Sequence, residues 1–197
     1  MENHNFDMDK LKLMASEMSK NSSVPYEDLP KYDLFLSQVI DYLNDKFTEE
    51  KYTNNIVQNY IKSEVISKPE DGKKRGYTKQ HLIQLVLLSH MRPVFTTEEI
   101  NKVFRLAFNE INDRSDDIIS WEYAYKIFSE VQKDSFDDFL NIQYFDEDKL
   151  NKFIKDSSEN SKDQERIRVF LVVMTLVAQA SAIKKLAQKL VEEYHEI

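Results

Sequence analysis

The sequence predicts a mainly α-helical protein with one small β-hairpin near residue 70. Three observations carry this expectation. Two glycines and four prolines in 197 residues are too few turn formers for a many-stranded fold. Both glycines, Gly72 and Gly76, fall in one short basic segment. Elsewhere apolar residues recur at three- and four-residue spacings, the period of one helix face. At 41% hydrophobic, with twelve Phe and ten Tyr, the chain has enough apolar mass to fill a core.

Residues 1–27 read as a weakly structured arm, with only Leu11, Met14 and Met18 at helical spacing. From Asp33 to Phe47, the residues Leu36, Val39, Ile40, Leu43 and Phe47 form one amphipathic face. Thr48 to Tyr52 is polar and breaks the pattern. Thr53 then stands as N-cap of a short helix running to about Ser63. Between Ser67 and Tyr77 lie Pro69, the pair Asp71-Gly72, and Gly76. Asp-Gly suits a type I′ turn, whose two central residues both need positive φ, so a two-stranded wing is expected here.

Thr78 caps the next helix, which runs to about Met91 with Leu82, Ile83, Leu85, Val86 and Leu88 covering most of its circumference. It should lie deep in the core, and Pro93 ends it. Thr97, Ile100, Val103, Phe104, Ala107, Phe108 and Ile111 predict an amphipathic helix with acids in its first turn. A further helix follows on Ala124, Ile127, Phe128 and Val131. The acidic stretch Asp134 to Asp163 is expected to hold one or two short helices, and a last helix runs from Gln164 to about Tyr194.

That last helix holds the most apolar run, Val169 to Ile183, fifteen residues interrupted by Thr175, Gln179 and Ser181. A membrane span needs ~20, so a buried or subunit-facing helix is expected. The opening MENHNFDMDK lacks the basic start and apolar run of a secretory signal, and the chain has no cysteine. A cytoplasmic location follows as an expectation.

The net charge is −8, but residues 51–92 carry eight Lys/Arg against three Asp/Glu. Everything else therefore sums to −13. One compact basic segment in an acidic chain confines any polyanion contact to one face.

Helix, turn, short helix, hairpin, helix is the order of a winged helix-turn-helix, whose second helix enters the DNA major groove while the hairpin grips phosphates. In the short helix, Ile56, Val57, Tyr60 and Ile61 form the buried side. Asn55, Gln58, Asn59 and Lys62 share the opposite face. Asn and Gln pair bidentately with adenine, at ~1–3 kcal/mol of discrimination per good pair. The candidate nucleic-acid-binding set is Thr53, Asn55, Gln58, Asn59 and Lys62, with Lys73, Lys74 and Arg75 on phosphates and Tyr77 adding a hydroxyl, although Tyr77 is equally a candidate core residue.

Tyr60-Ile61, Val65-Ile66, a proline and Arg75-Gly76-Tyr77-Thr78 resemble the recognition helix, wing and supporting helix of MerR-type regulators. More closely, Asp33 to Val39, Asn59 to Lys62 and Tyr77 to Leu82 are similar to an uncharacterised family of Gram-positive bacterial proteins, a domain of unknown function with a MerR-like winged helix-turn-helix. The similarity covers roughly residues 28–130 and implies DNA binding by analogy of fold. Two departures from the MerR pattern stand out: a longer, glycine-free turn before Thr53, and Thr78 where a second arginine is usual.

Asn112 to Tyr123 mimics a calcium loop, yet Ile118 stands where an EF-hand needs glycine and Ala124 where it needs glutamate. His81 and His90 are nine residues apart on one helix and face opposite sides, so they share no metal. No phosphate loop or oriented Ser-His-acid set exists, and neither an enzyme nor a cofactor is expected. The expected organisation is an arm over 1–27, a winged helix-turn-helix domain over 28–112, and a C-terminal helical domain over 113–197 for dimerisation or sensing. The expected partners are double-stranded DNA and a second copy of the chain, with no membrane and an effector left open. An adaptor that keeps the fold without binding DNA is the competing reading, favoured by the acidic remainder.

Overall fold

The computed structural model describes residues 11, 13–17, 24–48, 51–69, 76–141, 151–152, 154–155 and 160–195. Its named helices are α1 (Leu36–Lys46), α2 (Asn54–Lys62), α3 (Lys79–Met91), α4 (Thr97–Arg105), α5 (Trp121–Asn141) and α6 (Ser161–Tyr194), preceded by a 3₁₀ turn at Tyr26–Asp28. The chain divides into two compact units. One comprises residues 21–133 and 187–197, the other residues 1–20 and 134–186.

The first unit is built around α3. Leu82, Ile83, Leu85, Val86 and Leu88 are fully buried, as their all-round apolar pattern predicts. Each such side chain removed from water contributes ~1.5–3 kcal/mol before the entropy of ordering is counted. Thr78 is the N-cap, and the fourth residue of the box is His81, whose Nδ1 accepts the Thr78 backbone N–H at 3.1 Å. The proton therefore sits on Nε2, which donates to the Lys68 carbonyl at 3.1 Å. α1 covers the core with Val39 and Leu43, and α2 with Val57 and Ile61. Val24 and Leu29, flanking the 3₁₀ turn, are buried in the same core.

α4 starts at Thr97, where its apolar spacing begins. Thr96 is the cap, accepting from Glu99 N–H at 3.3 Å, while Glu99 Oε2 accepts Thr96 N–H at 2.7 Å. The helix stops early, at Arg105, although the apolar spacing continues to Ile111. Beyond it the Asn109 side chain bonds the Asp116 carbonyl, and Ile118 N–H returns to the Ala107 carbonyl at 3.1 Å. Trp121 stacks on Phe108 at 3.5 Å and meets Phe104 edge-on at 5.0 Å. The loop buries Phe108 at the position a continued helix would have used, so the periodicity outlasts the helix.

The two-stranded wing expected over Ser67–Tyr77 is not found among the described residues; Glu70, Asp71, Gly72, Lys73, Lys74 and Arg75 lie outside them. The flanks do not pair with each other because other groups take their backbone donors. Tyr77 forms an isolated antiparallel bridge with Leu34, N–H to carbonyl at 2.8 and 3.3 Å. Ser67 N–H and Oγ both donate to the Gln84 side-chain carbonyl, and Lys68 N–H donates to Asn112 Oδ1.

In the second unit, Val172 on α6 and Ile154 are buried. Most of α6 within this unit is open instead. Residues 180–186 are all exposed, as are Val169, Phe170, Val173, Met174 and Val177. A helix buried through a core, one of the two expectations for this segment, is thus not what the chain forms. α6 is long and apolar enough to cross a membrane by length and composition.

Candidate nucleic-acid interface

The turn joining α1 to α2 has no glycine, and a side chain holds it instead. Asn44, near the end of α1, donates Nδ2–H to the Tyr52 carbonyl at 3.0 Å and accepts Tyr52 N–H on Oδ1 at 2.6 Å. Lys51 Nζ donates to the Asn44 carbonyl at 3.0 Å, a cation at the negative end of α1. Tyr52 itself is buried, its hydroxyl donating to the Leu85 carbonyl and meeting Ser89 Oγ at 2.9 Å, with Arg92 over the ring at 4.4 Å. The start of α2 is thereby fixed against α1 and α3 together.

Thr53 caps α2 as its position suggests, its Oγ1 accepting Ile56 N–H at 3.3 Å. Asn55, Asn59 and Lys62 are exposed, as is Asn54 at the first position of the helix. Gln58 is different. It is half-buried, and its Nε2 donates to the Tyr77 hydroxyl at 3.5 Å. Tyr77 is 5% exposed and lies edge-on to His81 at 5.6 Å. Burial pushes the pKa of its hydroxyl up, with a smaller opposing effect from Gln58. The structure thus places Tyr77 in the core, between Gln58 of α2 and His81 of α3. Tyr60 is partly buried against the same core.

The end of α2 needs a left-handed residue, and Glu64 supplies it at φ 54°. Val65 and Ile66 N–H groups return to the Tyr60 carbonyl, closing the helix and burying both side chains. Asn101 on α4 donates to the Ser63 carbonyl at 3.3 Å. Residues 67–68 are tied to α3 through Gln84 and His81, and residue 77 to Leu34 and Gln58. The segment carrying Lys73, Lys74 and Arg75 is therefore held at both flanks, and those three residues themselves lie outside the described ones.

The model of the family described as Domain of unknown function (DUF1836) matches residues 24–128. The chain belongs to this family. The matched DUF1836 segment begins at Val24, whose carbonyl accepts the Tyr125 hydroxyl, and ends at Phe128, which packs against His90 at 5.5 Å. The DUF1836 segment lies wholly inside the first compact unit. Among curated proteins, the uncharacterised protein YkrK of Bacillus subtilis (strain 168) is 32% identical over 94 residues, which is 46% of this chain and 39% of that protein. No solved structure matches the chain.

Proposed function

We propose that this DUF1836 protein is a sequence-specific, double-stranded-DNA-binding transcriptional regulator of the cytoplasm. Asn55 and Asn59 on α2 read base edges, and Lys62, Lys73, Lys74 and Arg75 neutralise phosphates. The observation that carries the reading is the open amide-and-lysine face of α2, standing on a helix whose other side is locked into the core. A rigid short helix presenting Asn side chains meets the geometric demand of major-groove readout. Gln58, engaged with Tyr77, drops to a supporting role. A MerR-like winged arrangement belongs to the same proposal.

Selection of genomic fragments bound by the full chain, followed by anisotropy titration, tests the reading. One fragment class should be enriched and should bind with affinity that falls steeply from about 50 to 200 mM salt. Absence of both enrichment and salt-sensitive binding rejects it and favours the adaptor reading, which the −13 outside residues 51–92 supports.

A further inference from the structure

We infer that the open side of α6 between Val169 and Ala180 is the contact surface for a second copy of this chain. The inference stands on the exposure of α6 and is independent of the DNA reading.

Phe170, Val173, Val177 and Ala180 follow one another at spacings of three, four and three residues, and all are exposed. That is the repeat of a helix seam that packs on another helix. Val169 and Met174 flank the row. Val172, about a third of a turn away from the row, is buried. Arg166 and Lys184, both exposed, close the row at its two ends, as a polar rim closes an interface.

The five large apolar residues of this face, Val169, Phe170, Val173, Met174 and Val177, are between 37% and 61% exposed. With ~200 Å² on a large apolar residue, half-exposure of five leaves roughly 500 Å² open per copy. Two such faces bury about 1,000 Å² in total, the size at which a specific interface begins. A membrane is the poorer occupant. The charge-free run from Val169 to Ile183 covers ~22 Å at 1.5 Å per residue, so a span of the ~30 Å hydrocarbon layer would have to take in Arg168 or Lys184. A row that repeats with coiled-coil spacing is self-complementary, so the same surface on a second copy satisfies both under two-fold symmetry.

Sedimentation equilibrium of the full chain over a micromolar concentration series tests this, beside flotation with phosphatidylglycerol vesicles. The chain should fit twice 23.4 kDa and stay with the unbound fraction in flotation. Val173→Glu with Val177→Glu should return a monomer with unchanged helical circular dichroism, because both positions are exposed. Phe170→Ala, which adds no charge, should weaken the dimer roughly tenfold or more. A wild-type monomer throughout the series, a double-glutamate variant that still dimerises, or a monomer that floats with the vesicles would each overturn the inference. A dimer that binds no DNA would leave it standing and reject the DNA reading alone.

Discussion

Asn44, Glu64 and His90 each hold a local feature that a neighbouring residue cannot replace. Asn44 satisfies both backbone groups of Tyr52 across the α1–α2 turn. Asn44→Ala orphans two partly buried groups and should lower stability by about 2 kcal/mol in urea unfolding. Glu64 sits in the left-handed region, where a Cβ is unfavourable. Glu64→Gly should therefore raise stability by about 0.5–1 kcal/mol after the added freedom of the unfolded chain is counted. His90 lies between the rings of Phe47 and Phe128 with its Nε2 buried and unbonded, and burial holds its imidazole below the ordinary value. As pH falls through ~6.5, the unfolded chain therefore takes up this proton before the folded one does. The stability from a neutral His90 is complete above that pH and is lost on acidification, at no more than ~1.4 kcal/mol per pH unit. His90→Phe should make the fall between pH 7 and ~5.5 visibly shallower in chemical denaturation.

At the scale of elements, α2 serves both the core and the open face, and its two sides should answer differently to substitution. Asn55→Ala or Asn59→Ala should leave the fold intact and reduce discrimination between the selected fragment and its single-base variants by ~1–3 kcal/mol. Val57→Ala, at a fully buried site, should instead destabilise the protein and weaken binding to all sequences alike. α1 and α2 are legible in the sequence because apolar spacing separates their buried and open faces, and α3 because its apolar residues run nearly all round. The end of α4 is not, since the loop after Arg105 buries Phe108 beneath Trp121 where a helix would have buried it too. The flanks of the expected wing escape the sequence for a related reason. Gly72 and Gly76 mark a turn as a pattern, but nothing in the sequence says that Gln84, Asn112 and Leu34 take the backbone groups a hairpin needs. Tyr77 looks like a phosphate ligand from its place beside a basic run, and only the packing of α3 against α2 shows it facing inward. The Asn44 clamp carries no local signal at all, because its partner lies eight residues away.

For the whole molecule, the charge distribution sets the terms of any DNA complex. With a balance of +5 over residues 51–92 against −13 elsewhere, phosphate contact should concentrate on that segment. Lys73→Ala, Lys74→Ala and Arg75→Ala together should weaken all sequences alike. They should also flatten the dependence of log affinity on log salt by ~0.9 for every phosphate no longer neutralised. Substitutions of the α2 asparagines should leave that slope nearly unchanged, which separates reading from anchoring. The most direct measurement is fluorescence anisotropy of the full chain on its selected genomic fragment, with wild type and Asn55→Ala/Asn59→Ala titrated side by side. The account predicts tight, salt-sensitive binding by the wild type and a variant that binds the fragment no better than scrambled DNA. Equal affinity of the two proteins for the fragment and for its scrambled control would contradict it.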